Sequence, residues 1–259
     1  MEACLKELRA LHIKHPEKEV RENLASGLVN ATKYYGEAKR FEEMETRLKD
    51  LKALHIKHPE KEVRENLAMG LFNATSDYGR AKRLEEMETR LKDLKALHIK
   101  HPEKEVRENL AKGLVNAADH YGRAKRLEEM EACLKDLKAL HEEHPEKEVR
   151  EKLAMGLFNA MACKKQDYET LLLLYKLRFD LPDDVNKEIR IKVIEDSFMR
   201  ATKERIEEIY NEDEGEHFEE FLNSLTAEIE DTELVLLMNE ISERLDIRIQ
   251  RKMRELLSL

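Results

Sequence analysis

The stretch His-Pro-Glu-Lys-Glu-Val-Arg-Glu occupies residues 15–22 and recurs unchanged at 58–65, 101–108 and 144–151, which gives a repeat period of 43 residues. Repetition at such a period is typical of solenoid proteins, in which each repeat buries its apolar face against its neighbours. Apolar side chains recur every three or four residues, which indicates helices. The sequence therefore predicts an all-α fold, an α-solenoid of helix-turn-helix repeats.

Each repeat contains two amphipathic segments. Helix A is predicted to begin with Pro16 at its first position and to end at Gly36, and helix B follows from Phe41. Gly27, in the middle of helix A, costs roughly 1 kcal/mol of helix propensity relative to Ala, which predicts the close approach of a neighbouring helix. The two apolar stripes are Val20, Leu24, Leu28, Ala31 and Tyr35 on helix A, and Met44, Leu48, Leu51 and Leu54 on helix B.

The repeat divides the chain into successive units. These are a half-repeat helix at 1–15, repeats at 16–58, 59–101 and 102–144, a degenerate fourth repeat at 145–182, and a divergent C-terminal helical cap at 183–259. Within the cap we expect a worn fifth repeat at 183–210 and helices at 216–229 and 232–257, because the last repeat needs its apolar face covered. The lone first helix is a true half-cap, a piece of a longer array, or a helix whose residues Leu5, Leu8 and Leu11 are covered by a neighbour.

Composition bounds the classes of function. The 47 basic and 56 acidic residues are interleaved and give a net charge of -9, so no basic surface for nucleic acid is expected. The longest apolar run, 171–174, is too short to cross a membrane. Cys4, Cys133 and Cys163 lack metal-type spacing, which favours a reducing, cytoplasmic setting without a metal or other cofactor. No catalytic motif is present, so an enzyme is not predicted.

The repeats also resemble a known family. Asn23-Leu24-Ala25, the Gly36 break and Phe41-Glu42-Glu43-Met44, followed by Leu48, Leu51 and Pro59, resemble the tetratricopeptide repeat, and the first triplet is similar to the long repeats of kinesin light chain. The resemblance covers residues 1–181 and implies a right-handed superhelix whose A helices line a concave, peptide-binding groove. Met44 and Leu51 stand where the family usually has Ala, and the period exceeds the usual 34 residues. Armadillo-like or HEAT-like stacking is the alternative.

One strip of helix A varies between repeats. The first two repeats differ at six positions, and four of these, 26, 29, 33 and 37, lie on one side of helix A. The resemblance implies that this side faces the groove, where a graded strip would select the side chains of a ligand. The alternative is that exposed positions drift. The members of the strip are Ser26, Met69, Lys112 and Met155.

Asparagines form two columns beside this strip, and Asn needs a reason to stand inside a helix. A carboxamide offers both a donor and an acceptor to an extended peptide backbone, and the resemblance implies this use. The alternative is a hydrogen bond between repeats or to a loop. The first column is Asn23, Asn66 and Asn109, with Lys152 in the fourth repeat; the second is Asn30, Asn73, Asn116 and Asn159.

Histidines occur in pairs spaced i,i+3 near the end of each helix B. Two imidazoles make an incomplete zinc site, so we expect a structural role at the helix C-terminus rather than metal binding. If the imidazoles are stabilised in the charged form there, their pKa is raised and acidification should not destabilise the array through them. The pairs are His12 and His15, His55 and His58, His98 and His101, and His141 and His144.

These observations predict a non-enzymatic scaffold or adaptor that binds a protein or peptide along the A helices. A second hypothesis is a structural spacer or rod that self-associates through the N-terminal half-repeat. A third is a regulatory subunit that binds its partner through the C-terminal helices.

Overall fold

The computed structural model describes residues 2–164, 166–184, 186–213 and 217–229, together with Leu236, Leu237, Glu240, Ile241, Leu245 and Ile249. The described part of the chain is all-helical and contains no strand, which confirms the predicted all-α class. The chain divides into two compact units, 1–163 and 164–259.

The first unit contains eight helices that alternate between the two predicted types. The B helices are α1 (Glu2–Lys14), α3 (Phe41–Lys57), α5 (Leu84–Lys100) and α7 (Leu127–Glu143). The A helices are α2 (Lys18–Glu37), α4 (Lys61–Arg80), α6 (Lys104–Arg123) and α8 (Lys147–Met161). Helix α8 is shorter than the other A helices, which agrees with the loss of the repeat pattern after it.

Each helix packs against the one or two helices that follow it in the sequence. An A helix contacts the B helix of its own repeat and the A helix of the next repeat, while a B helix contacts the following A helix. Leu28, Leu48 and Leu51 are fully buried between these helices, as the predicted stripes require. The packing is therefore sequential, with each repeat completed by its neighbours.

The repeated stretch itself makes the bond between successive repeats. Arg21 pairs with Glu60 of the next copy and donates to the carbonyl of its own Pro16. The equivalent Arg107 pairs with Glu146, and its guanidinium lies 2.7 Å from the carbonyl oxygen of Pro102. The arginine and the glutamate of the stretch are thus the two halves of one contact between successive repeats.

The ends of helix A differ from the sequence prediction in two ways. Pro16 lies outside helix α2, which begins at Lys18 with Glu17 as its N-cap residue. The helix also continues past Gly36, and the residue with a left-handed backbone is Lys39, at φ 57°. Gly36 therefore does not end the helix, and another reason for this glycine is needed.

The mid-helix glycine has the predicted role. A Cβ atom on Gly27 would lie 2.9 Å from Leu8 Cδ1 of the preceding B helix, and one on Gly70 would lie 3.0 Å from Leu51 Cδ2. Such distances are too short for ordinary packing, so glycine lets the two helices approach. Leu5 is buried against α2 in the same way, whereas Leu11 is 44% exposed.

The exact repeated stretch does not occur in the second unit. This unit contains α9 (Tyr168–Lys176), a short 3-10 helix (Arg178–Asp180), α10 (Lys187–Asp213) and α11 (Phe218–Glu228). Helix α10 is one continuous helix across the predicted fifth repeat, and α11 covers most of the predicted helix at 216–229. The predicted helix at 232–257 lies mostly outside the described residues.

Candidate functional site

The A helices expose one side to solvent. Ser26 and Asn30 of α2 are exposed, and they lie opposite the buried stripe that contains Leu24 and Leu28. We call this surface the A-helix face. It comprises the two predicted asparagine columns and the variable strip between them, so the structure brings the predicted site residues onto one side of successive helices.

The first asparagine column is largely used by the helices themselves. The Nδ2 atom of Asn66 donates to the carbonyl oxygen of Glu62 at 2.7 Å, and that of Asn109 donates to Glu105 at 2.8 Å. Asn109 is also buried, while Asn23 is exposed. Donation to the carbonyl four residues earlier is a local alternative to ligand binding. This column therefore offers a ligand little donor capacity beyond Asn23.

The second column is more available. The Nδ2 atom of Asn116 donates to Ser76 Oγ of the preceding repeat at 2.8 Å. The side chains of Asn30, Asn73 and Asn159 form no hydrogen bond within the described part of the chain, and all three reach solvent. Three carboxamides at equivalent positions thus keep their donors and acceptors free.

The variable strip is polar at some repeats and apolar at others. Ser26 Oγ lies 3.4 Å from Asn66 Oδ1, and the Lys112 ammonium lies 3.8 Å from Glu108. Met69 is exposed and Met155 is half-buried. A ligand on this face would therefore meet a hydroxyl, a thioether, a cation and a second thioether in turn.

Some of the positions that vary between the first two repeats are buried. Val29 was expected on the variable side of helix A but is 3% exposed, because it packs between α2 and the next repeat near Gly70. Ser76 and Asp77, which also differ from the first repeat, are buried as well. The expectation of a free side is therefore wrong at Val29 and at Ser76, the counterpart of Lys33, whereas Lys33 itself is exposed.

The residues equivalent to Tyr34 in the later repeats make a contact that the sequence did not reveal. The side chains at this position in the second, third and fourth repeats, Asp77, His120 and Cys163, lie over the glycines Gly36, Gly79 and Gly122 of the preceding repeat. A Cβ atom on Gly79 would overlap the His120 ring, and one on Gly122 would lie 2.6 Å from Cys163 Sγ. These glycines therefore make room for the next repeat.

Burial changes the protonation of two of these side chains. It raises the pKa of Asp77 to about 6, although Arg80, at 2.8 Å, opposes this effect. Burial lowers the pKa of His120, with a smaller opposing effect of Asp119. In both side chains the folded environment therefore disfavours the charged form.

Histidine rings contact one another across the boundaries between repeats. The ring centroids of His12 and His58 lie 5.6 Å apart, and those of His55 and His101 lie 5.8 Å apart, each in an edge-to-face arrangement. His98 and His144 form the third such pair. Among the described residues no group of three or more His, Cys, Asp or Glu side chains could hold a metal ion.

The condition that the histidines are stabilised in the charged form is not met at His12, His55 and His98. Burial lowers the pKa of His12, His55 and His98, and the histidine of the next repeat lowers it further. Desolvation outweighs the favourable helix C-terminus because these rings are covered by the next repeat. Acidification should thus destabilise the array through these residues.

The three cysteines are free thiols in different environments. Cys133 is buried, and this burial raises its pKa to about 12, which keeps the thiol protonated. Cys163 is half-buried against Gly122, and Cys4 is an exposed free thiol.

Comparison with known proteins adds no relative: no family model matches the chain, and no curated protein or solved structure matches it significantly. Of the helices in the described part of the chain, none has the length and apolar character needed to span a membrane.

Proposed function

We propose that the chain is a non-enzymatic scaffold or adaptor that binds an extended peptide or protein segment along the A-helix face. The fold that goes with this function is an α-solenoid of tetratricopeptide-like hairpins, with the A helices lining its groove. The ligand's main chain would be held by asparagines and its side chains would be selected by positions 26, 69, 112 and 155.

The observation that carries the proposal is the set of free carboxamides at Asn30, Asn73 and Asn159. Asn is a poor choice inside a helix unless its amide is used, and these amides have no partner within the described residues. Their spacing by whole repeats would present them to a strand-like ligand as a ladder of donors and acceptors. The first column supports the proposal less, since Asn66 and Asn109 bond their own helices.

The two columns provide a matched experiment. The full chain and two variants, Asn30→Ala with Asn73→Ala and Asn159→Ala, and Asn66→Ala with Asn109→Ala, are used for affinity capture from extract of the native cell. Captured proteins are identified by mass spectrometry and their binding is then measured with purified components. The proposal expects a partner that the second-column variant loses and the first-column variant keeps.

Helicity and thermal stability of both variants must equal those of the parent protein for this comparison to count. Equal binding by both variants would show that the asparagines are scaffold. Capture of the chain by itself alone would instead support the self-associating rod.

A further inference from the structure

Three isoleucines stand on the B helices with unusually little cover. Ile13, Ile56 and Ile99 lie near the ends of α1, α3 and α5, and each is 80% exposed. At this exposure they contribute little to the packing of the array. A single exposed apolar residue needs no explanation, but three at equivalent positions form a feature of the surface.

One of these isoleucines borders a cleft between neighbouring B helices. The cleft lies between α3 and α5 and has a volume of about 420 Å³. Ile56, Pro59 and Ala96 form its sides, and the buried Leu67 and Leu71 of α4 lie at its base. The space and its apolar lining suit one or two apolar side chains of a partner.

The rim of the cleft is positive. Lys52 pairs with Asp93 across the cleft at 2.7 Å, which neutralises both charges. Lys100 at the rim and Lys57 beside Ile56 form no ion pair within the described residues. The chain as a whole has a net charge of -9, but these two lysines leave positive charge around the apolar cleft. The cleft is therefore complementary to an acidic ligand.

The neighbouring repeats provide a natural comparison. Between α1 and α3, Ile13 and Lys57 hold the positions that Ile56 and Lys100 hold in the cleft just described. Between α5 and α7, Ile99 is retained but Glu143 replaces the rim lysine, and Glu142 replaces the next isoleucine. The charge of the rim therefore reverses at the third interval.

We propose that the cleft between α3 and α5, with its counterpart between α1 and α3, binds an acidic segment of a partner protein. An apolar side chain of that segment would enter the cleft, and flanking carboxylates would pair with Lys57 and Lys100. A short segment can avoid Glu142 and Glu143, whereas an anionic membrane lying on the B helices would meet them. The surface is separate from the A-helix face, so it stands independently of the function proposed above.

The test uses fluorescein-labelled synthetic peptides with a central Leu or Phe flanked by Asp and Glu, and fluorescence anisotropy with the full chain at low salt. We expect saturable binding that weakens about tenfold or more with Lys57→Glu and Lys100→Glu together. The charge control is Lys135→Glu, an exposed lysine on α7 away from both clefts. It should leave the affinity unchanged.

The apolar contact has its own matched pair. Ile13→Ser with Ile56→Ser should weaken binding by a similar factor, whereas Ile99→Ser, an equally exposed residue beside the glutamate rim, should not. Glu142→Ile with Glu143→Lys should create a further cleft and increase the number of peptides bound. Circular dichroism confirms that each variant keeps its helicity.

Two results would overturn the proposal. One is that no peptide of the panel binds, or that all variants bind the peptides equally. The other is that vesicles containing phosphatidylserine bind in a Lys57- and Lys100-dependent manner while the peptides do not, which would assign the surface to lipid.

Discussion

The two units of the chain are stabilised in different ways. In the first unit the same contacts recur at each interval: a glycine against leucines of the preceding B helix, and an arginine against a glutamate of the next repeat. In the second unit a cluster of aromatic rings takes their place. Phe198 is fully buried and stacks on Tyr175 at 4.5 Å, with Tyr168 at 5.8 Å.

The comparison shows where each unit is vulnerable. A repeated interface spreads stability over several equivalent contacts, so the loss of one leaves the others in place. A single cluster concentrates stability in a few side chains. In the second unit even a charge joins the cluster, because the buried Arg178 guanidinium lies 3.9 Å from the centre of the Tyr175 ring.

The largest predicted effect is therefore in the second unit. Phe198→Ala should destabilise that unit by about 3–5 kcal/mol, because it removes a fully buried ring and leaves a cavity. Hydrogen exchange followed by mass spectrometry should show lost protection in 187–213 and unchanged protection in 104–123. The exposed Phe179→Ala serves as the control. Equal loss in both segments would contradict the difference between the units.

In the first unit the largest effect is expected from removing a buried charge. The pKa of Asp77 is about 6 in the folded chain, against an ordinary value of 3.8. The raised pKa means that the folded state disfavours the charged carboxylate. The resulting loss of folding stability is absent below pH 3.8, grows as pH rises, and is complete above about pH 6. The shift corresponds to about 3 kcal/mol at most. Asp77→Asn should therefore raise the free energy of unfolding at pH 7.5, and the gain should vanish near pH 4.

Urea denaturation of both proteins from pH 4 to 8 measures this difference directly. A gain that does not depend on pH would contradict the prediction.

The Asp77→Asn protein also allows the effect of the histidines on stability to be measured without that of Asp77. Their lowered pKa has the opposite consequence, because the unfolded chain takes up protons first as pH falls below about 6.5. The free energy of unfolding of the Asp77→Asn protein should thus decline between pH 7.5 and 5.5, and adding His98→Gln should reduce that decline.

The glycine contact predicts an intermediate effect within the same unit. Gly79→Ala should destabilise the protein by about 1–3 kcal/mol, because the new methyl group would overlap the His120 ring. His120→Ala removes that ring, so Gly79→Ala in this background should cost much less. A double-mutant cycle by urea denaturation measures the coupling between the two sites. Additive costs would show that Gly79 serves the backbone and not the contact.

The sequence predicts the repeated parts of the fold because each copy reports on the others. The A and B helices, their stripes and the role of Gly27 follow from spacing alone. The roles of Gly36 and Asp77 do not, because these residues are 41 positions apart and meet only when one A helix stacks on the next. The aromatic cluster around Phe198 has no second copy in the sequence, so its partners were not predicted.

The candidate site was predictable to a similar depth. Periodicity places all seven asparagines on helix A, but only Asn23 and Asn30 are exposed, while Asn109 is buried and the other four are half-buried. It cannot show which amides are already used, since donation from Asn66 to the carbonyl of Glu62 depends on the rotamer and the local backbone. The histidine pairs are a similar case, because His12 meets His58 across a repeat boundary.

The smallest predicted effect concerns the turn between helix A and helix B. Lys39, Lys82 and Lys125 all have a left-handed backbone, with φ between 57° and 61°. That conformation costs a residue with a Cβ atom roughly 1 kcal/mol relative to glycine, partly offset by the greater freedom of glycine in the unfolded chain. Lys82→Gly should therefore raise the free energy of unfolding by up to about 1 kcal/mol in urea denaturation, whereas Lys82→Ala should not.

Lys125→Gly should add a similar gain, because the two turns are separate copies without a shared contact. The equivalent position of the fourth repeat is Tyr168, the first residue of α9, where the same turn is absent. Additive gains at Lys82 and Lys125 would mean that each turn contributes separately to the stability of the repeats. Gains that are not additive would mean that neighbouring repeats are coupled more tightly than their copied contacts suggest.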